Sequence, residues 1–333
     1  MAKVVGVSFG RKNGNNDGFC KEALIGAQEE GCEVEFIHAM DLDIRHCTGC
    51  QTCVMSQYAG KGNPCMHKDD FDWLMQELFH ADGVLFVDPI FENGSSGLFK
   101  TVCDRFGPRT DTGMCRLAQQ LADKNKAEGK PYRDIDPAIL DPRVCVSFIG
   151  MGGSEWGTSC QADHQMQAMS PSWKIIDNEW IPWSQKATVN DEMIARVHQI
   201  GVNLARAAKD YDHAETMTSG TCPHCHNNNF YLWPGTDKVT CTVCGLDGHI
   251  RLNDEGVAEV YYLDEETHDE RGLYRAHDTA SGKQIHGEDI GKMYAEIGPL
   301  LAGEEYKQHK AAWKAFLEPT YPPYYVNGRR PKN

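Results

Sequence analysis

Lys3-Val4-Val5-Gly6-Val7 runs straight into Ser8-Phe9-Gly10-Arg11-Lys12-Asn13-Gly14-Asn15-Asn16-Asp17. The opening residues form a short apolar run of strand type. The rest are a loop of small and amide residues, and helical periodicity follows: Phe19, Ala23, Leu24 and Ala27 share one face of a helix predicted over Asp17 to Glu30. The loop is neither a dinucleotide fingerprint, since G-x-G-x-x-G is absent, nor a Walker loop, since no Gly-Lys-Ser/Thr follows. Its amides, Arg11 and the helix N-terminus suit a terminal phosphate, with a solvated turn as the plain alternative.

The same alternation continues outward. Cys32 to His38, Asp82 to Asp88 and Arg143 to Gly150 read as further strands, and Asp191 to Lys209 as a helix carrying Ile194, Val197, Ile200, Val202 and Leu204. Strands alternating with helices predict an α/β fold, a parallel sheet wound with helices on both faces. Residues 107–142 interrupt the rhythm with a helix over Cys115 to Lys126 and then Pro131, Pro137 and Pro142. An insertion this long is expected to be a lid or a surface decoration, and we read it as a lid.

In an open parallel sheet, ligands bind at the carboxyl ends of the strands. Two more loops lie there. Asp88-Pro89-Ile90-Phe91-Glu92-Asn93-Gly94 leads into a helix that Ser96 can cap, and Gly150-Met151-Gly152-Gly153-Ser154 allows close backbone approach. Phe91 could equally be core. Taken in order on successive strand ends, the three loops predict one planar, phosphate-bearing cofactor.

Between the second and third strands stands Cys47-x2-Cys50-x2-Cys53-x11-Cys65. Such spacing converges thiolates on a soft metal centre, and iron–sulfur clusters take four of them. Zinc, reactive dithiols or ordinary core cysteines are the alternatives. His46 and His67 flank the set and are placed to tune a cluster through hydrogen bonds.

The first 210 residues resemble the flavodoxin-like NAD(P)H-dependent FMN reductase family, and more closely its iron–sulfur flavoprotein branch. The resemblance rests on Arg11-Lys12-Asn13-Gly14-Asn15, Asp41-Leu42-Asp43-Ile44, the cysteines from Cys47 to Cys53, Cys65-x3-Asp69-Asp70, Pro89-Ile90-Phe91 and Asp104-Arg105-Phe106. It implies a doubly wound flavodoxin-like sheet that holds FMN. The phosphate would lie on residues 8 to 17, with Ser8, Arg11, Asn13, Asn15 and Asn16. The ring would lie on Pro89, Ile90, Phe91, Glu92, Asn93 and Gly94, and on Gly150, Met151, Gly152 and Gly153. It implies a [4Fe–4S] cluster on Cys47, Cys50, Cys53 and Cys65, and NAD(P)H or a ferredoxin-like protein as electron donor. The chain departs from the family pattern where Ser8-Phe9-Gly10-Arg11 replaces Gly-Ser-Pro-Arg, where Asn16 replaces a Thr, and in the long gap before Cys65.

Near residue 211 a different module begins, and 211–333 is read as a zinc-ribbon and helical unit beside a first domain of 1–210. Cys222-x2-Cys225-x15-Cys241-x2-Cys244 is zinc-ribbon spacing, with Phe230 to Trp233 and Val239-Thr240 as flanking strands. Rubredoxin-type iron is the lesser option. Acidic neighbours (Asp264-Glu265-Glu266) argue against a nucleic-acid role for the ribbon. Gly287 to Phe316 is predicted helical, and Pro319 to Tyr325 an extended arm.

Two residues are candidates for acid–base work: His164, in a helix after the third loop, and Glu92 beside the ring position. A helical histidine can equally be structural. The 333 residues carry a net charge of −15, which disfavours nucleic acid and anionic membrane as partners. Fourteen cysteines with no secretion signal or apolar span predict a reducing, cytoplasmic address. The expected function is FMN-dependent electron transfer to a small organic acceptor, in a homodimer or homotetramer. The competing classes are a non-enzymatic flavin and iron–sulfur electron carrier, and a zinc-binding regulatory or scaffold protein.

Overall fold

The structure, a computed structural model, describes residues 1–316, 319–320 and 322–323. The arm expected over Pro319 to Tyr325 includes Tyr321, Tyr324 and Tyr325, which lie outside the described residues. Five parallel strands make the main sheet: β1 (Lys3–Ser8), β2 (Glu33–His38), β3 (Gly83–Pro89), β4 (Cys145–Met151) and β5 (Lys174–Ile181). Their order is β2-β1-β3-β4-β5, the flavodoxin-like winding. Val5 pairs with Glu35 on one side and Val84 on the other, so β1 is an interior strand. Every residue of β3 and β4 is buried, which is why both read as unbroken apolar runs.

Helices α1 (Asn15–Glu29), α2 (Thr52–Tyr58), α3 (Phe71–Phe79), α4 (Gly97–Thr110), α5 (Thr112–Ala127), α6 (Pro137–Leu140), α7 (Cys160–Met169), α8 (Ser184–Ala187) and α9 (Asp191–Lys209) surround the sheet. One face is covered by α1 and α9, through Phe19, Ala23, Leu24, Val197, Ile200 and Leu204. These two helices cross backbone to backbone. A Cβ on Gly201 would stand 1.7 Å from the Ala23 carbonyl oxygen, and one on Gly26 2.4 Å from that of His198. The other face takes Phe71, Leu74 and Leu78 of α3, Phe99, Val102 and Phe106 of α4, and Cys115 and Ala118 of α5.

The expected lid is therefore not a free cover. Within 107–142, Cys115, Ala118, Ala122, Ile135 and Ile139 are buried, and Cys115, Ala118, Ile135 and Ile139 belong to the main core. Its backbone is tied to α2 and the turn after it: Gln57 Nε2 donates to the Pro108 carbonyl (2.8 Å), and the Arg133 N–H donates to that of Gly60 (3.1 Å). The segment walls in the cysteine loop.

A second, antiparallel sheet joins β6 (Phe230–Leu232), β7 (Lys238–Cys241), β8 (Asp247–Leu252) and β9 (Ala258–Tyr261), with α10 (Asp264–Thr267) after it. The boundary expected at residue 211 does not mark a compact division, which falls between Gln284 and Ile285. The ribbon belongs to the first unit because Met169 of α7 shares a core with Cys222, Val243, Leu246 and Ala276. The second unit, Ile285–Asn333, contains most of α11 (Ala280–Ala302) and all of α12 (Glu304–Phe316). Among the described residues, no helix is long and apolar enough to cross a membrane.

Candidate functional site

At the end of β1 the loop is held from inside. Ser8 is fully buried and its hydroxyl donates to Asp17 Oδ1 (2.5 Å), while Asp17 Oδ2 accepts the Asn13 N–H (2.6 Å). Ser8, expected on the phosphate, is thus turned inward; it orients Asp17, which organises the loop. Gly14 caps α1 with no side-chain acceptor among the described residues, so the amides of the first turn stay available to an anion. Arg11 and Asn13 are exposed, Asn15 and Asn16 half-buried, and Asn16 Nδ2 is a buried donor without a partner among the described residues.

Beyond β3, Asp88 accepts the Ser96 N–H (2.9 Å) and hydroxyl (2.6 Å), and Ser96 Oγ accepts the Phe99 N–H (3.2 Å), fixing the start of α4. The loop tip is a tight turn in which Phe91 and Gly94 exchange backbone hydrogen bonds (3.0 and 3.1 Å). Its central residues, Glu92 (φ 48°) and Asn93 (φ 70°), are both left-handed, which is costly for glutamate. Phe91, which could have been core, is 62% exposed, while Ile90 is buried beneath it. Asn93 joins this turn to the third loop by accepting from Thr158 Oγ1 (3.2 Å) and the Ser159 N–H (3.2 Å).

In the third loop Gly150 and Met151 are buried inside β4, so the exposed rim starts at Gly153 and Ser154. The backbone comes close to β5 here: a Cβ on Gly157 would lie 2.5 Å from Trp180 Nε1. Gly157→Ala is therefore expected to push Trp180 and the loop apart and weaken FMN binding about tenfold, a loss of ~1.4 kcal/mol. Fluorescence titration of the apoprotein reads it, and an unchanged affinity would show that this loop leaves the ring untouched.

His164 does not stand at the mouth of the site. It is fully buried, stacked on Phe148 (centroids 5.0 Å apart) with Phe99 at its edge. Its ring contacts Asn178 Oδ1 (3.1 Å), Cys160 Sγ (3.4 Å) and Asp88 Oδ2 (3.9 Å). Burial opposes its charge, yet Cys160 and Asp88 raise its pKa to about 10. It ties α7 to β3 and β5. Glu92 is exposed at the turn tip. Two residues missed in the sequence stand at the same sheet end: Trp156 (60% exposed) after β4 and Trp183 (46% exposed, φ 52°) after β5.

FMN fits these loops. Three buried polar atoms there lack partners among the described residues: Asn16 Nδ2, Ser95 Oγ and Trp180 Nε1, one beside each loop. Orphaned donors and acceptors of this kind point to a ligand that completes them.

The first cysteine quartet lines one cavity of about 90 Å³, together with His67, Arg105 and Arg109. Cys47 and Cys50 are exposed, Cys53 and Cys65 half-buried. Thr52 lies against Cys50 and lowers its thiol pKa, while burial raises that of Cys53. His46 contacts Thr101 Oγ1 (2.8 Å), and His67 Nε2 is buried without a partner among the described residues. Among the described residues, only the second quartet brings its ligand atoms within 4.8 Å of one another. All four thiols of the first set line that one cavity, and four cysteine thiolates are the donor set that an iron–sulfur cluster takes.

The second quartet fits a single ion. Cys222 and Cys244 Sγ are 3.9 Å apart, and Cys225 and Cys241 3.5 Å. Tyr262 Oη (2.9 Å from Cys222 Sγ) and Asn227 Nδ2 (3.5 Å from Cys241 Sγ) supply the outer hydrogen bonds that such sites carry.

The model of a family described as NADPH-dependent FMN reductase matches residues 3–185. The chain belongs to that family, one of flavin-dependent oxidoreductases. A solved structure described as a flavone reductase is 43% identical, covers 96% of this chain and 99% of its own, and superposes with a TM-score of 0.82. An iron–sulfur flavoprotein of Methanocaldococcus jannaschii is 36% identical over 123 residues, 37% of this chain and 58% of that protein. A flavone synthase of Aspergillus candidus is 26% identical over 201 residues, 57% of this chain and 59% of that protein. The chain thus spans less than two thirds of these two curated relatives.

Proposed function

We propose that this FMN reductase family member passes electrons from NAD(P)H or a ferredoxin-like donor, through bound FMN, to a planar aromatic acceptor of the flavone type. The observation that carries this reading is the trio of exposed aromatics, Phe91, Trp156 and Trp183, on successive loops at the strand ends that would hold the ring. Exposed aromatic faces around a cofactor stack planar substrates. The likeness to a flavone reductase supports the acceptor class.

Bound FMN supplies two-electron uptake and its release as hydride or as single electrons. The first-turn amides of α1 with Asn16 hold its phosphate, and the turn at Phe91 to Gly94 walls its ring. Glu92, rather than the buried His164, is placed to exchange a proton with the acceptor. The first quartet carries a [4Fe–4S] cluster, and the ribbon zinc. Helix α4 joins the two redox sites: Ser96 caps it behind the ring loop, and Asp104, on the cysteine cavity, lies about 12 Å further along its axis. We further propose a cytoplasmic homodimer or homotetramer.

The test is anaerobic purification with FMN, iron, sulfide and zinc analysis, followed by turnover with flavone. Each flavone reduced across its ring double bond should consume one NAD(P)H and one proton. Flavin and cluster that cycle with redox proteins but never reduce flavone would make the protein an electron carrier. A colourless protein holding only zinc would end the redox reading.

A further inference from the structure

Helix α4 delivers two arginines, one turn apart and so on one face, to the cavity of the first cysteine quartet. Both are buried, with side chains 1% exposed for Arg105 and 7% for Arg109. Their partners take five of their ten N–H groups. Arg105 Nη1 donates to Asp69 Oδ2 (2.7 Å) and the Arg45 carbonyl (2.8 Å), and Nη2 donates to Asp69 Oδ1 (3.0 Å). Arg109 Nε donates to the Asn63 carbonyl (2.9 Å) and Nη1 to Asp72 Oδ1 (2.6 Å). Arg105 Nε is buried and has no partner among the described residues.

An unpaired buried donor of a charged group is costly, and native structures keep few of them. This one belongs to a side chain that lines the same small cavity as Cys47, Cys50, Cys53 and Cys65. Thiolate and sulfide sulfurs are hydrogen-bond acceptors, and an iron–sulfur centre offers several. Hydrogen bonds to sulfur and nearby charge are the means by which a protein sets the potential of such a centre.

We propose that Arg105 sets the reduction potential of the cluster held by this quartet, donating its Nε–H to a cluster sulfur while Arg109 adds a second buried positive charge. The proposal rests on the reading that the quartet holds a cluster. When one electron arrives from the flavin or a ferredoxin-like donor, the centre gains a negative charge. The Nε–H bond and the guanidinium charges stabilise that reduced form over the oxidised one and raise the potential. Asp69 offsets much of the Arg105 charge, so the directional hydrogen bond is the larger part of its effect. Asp72 is half exposed, so solvent screens it and leaves more of the Arg109 charge in force. The pair with Asp69 gives Arg105 a structural role through its η nitrogens, and the Nε role is separate from it.

Arg105→Lys separates the two roles, because lysine keeps the charge and can pair with Asp69 but has no donor at the Nε position. The full chain, reconstituted anaerobically, is assayed for iron and sulfide and titrated redox-wise by EPR. R105K is expected to hold as much iron and sulfide as the parent. At the parent midpoint its reduced-to-oxidised ratio should fall about tenfold, which is about 59 mV for one electron. R109M should lower the ratio too. A full cluster with an unmoved potential in R105K overturns the proposal alone. A parent chain that binds neither iron nor sulfide overturns the cluster reading and the proposal with it. Should R105K lose its iron, R109M decides through the charge, and an unchanged potential there overturns the proposal.

Discussion

Cys241→Ser is expected to empty the ribbon site and unravel the chain from Cys222 to Tyr261 while the parallel sheet survives. The four ribbon strands are only three to six residues long, and the buried apolar side chains of the strands and their turns amount to Val239, Val243, Leu246 and Val260 beside the cysteines. So small a core does not hold itself together. A structural zinc ion contributes about 10–16 kcal/mol of binding free energy in comparable small folds, and that energy is the folding energy of the module. Cys241 faces Cys225 across the site at 3.5 Å and also accepts Asn227 Nδ2, so serine there removes a ligand and an outer contact together. The effect should reach α7, where Gln165 Nε2 loses the Cys225 carbonyl (3.2 Å) and Met169 its cover. It should stop there, because both main core clusters lie outside the ribbon. Metal analysis should show one ion fewer per chain, and limited proteolysis new cuts between residues 220 and 262, with FMN still bound. A ribbon that stays protease-resistant without its ion would refute the argument.

What was legible in the sequence follows from how locally each feature is determined. The strands β1, β3 and β4 are buried on both faces, so their composition alone identifies them, and α9 carries a full apolar stripe and begins and ends where periodicity puts it. In contrast, β5 lies at the sheet edge and mixes Asp177, Asn178 and Glu179 with Ile175 and Ile176, which hides its period. In the insertion read as a lid, a signal of packing was present in the sequence: Cys115, Ala118 and Ala122 recur at helical spacing and form a buried stripe of small residues. That three loops leave the carboxyl ends of β1, β3 and β4 was visible from their order in the sequence. Which side chains face the ligand was not, because that depends on distant partners. Ser8 is turned in by Asp17, and His164 is drawn inward to Phe148 and Asp88. Trp156 and Trp183 carry no pattern of their own and gain meaning only from the strand ends beneath them. Both cysteine quartets were plain from spacing, but only three dimensions separate the tight set from the wide one.

Asp69→Ala should be the most damaging single change in the flavin domain outside its apolar core. The Asp69 side chain is 1% exposed, and it pairs with both η nitrogens of Arg105 while accepting the Arg45 N–H (3.0 Å). These bonds clamp the two ends of the segment that carries Cys47 to Cys65. Removing the carboxylate leaves a buried guanidinium without counter-charge, which costs about 3–5 kcal/mol and lowers Tm by on the order of 10 °C. The pH dependence is a second signature. Burial raises the Asp69 pKa, but Arg105 and the Arg45 N–H outweigh it and hold it at about 2, below the 3.8 of a free carboxyl. A folded-state value below the unfolded one adds stability that is fully present above about pH 4 and is lost as pH falls toward 2. The parent chain should therefore weaken across that window, and the variant should show a shallower acid slope there. Thermal melts from pH 7 to pH 2 read both effects. Asp69→Leu combined with Arg105→Met should recover most of the loss, since it removes the stranded charge and fills the same space. A single Asp69→Ala variant within 1 kcal/mol of the parent, or with the parent's acid slope, would show that this pair does not hold the cysteine loop.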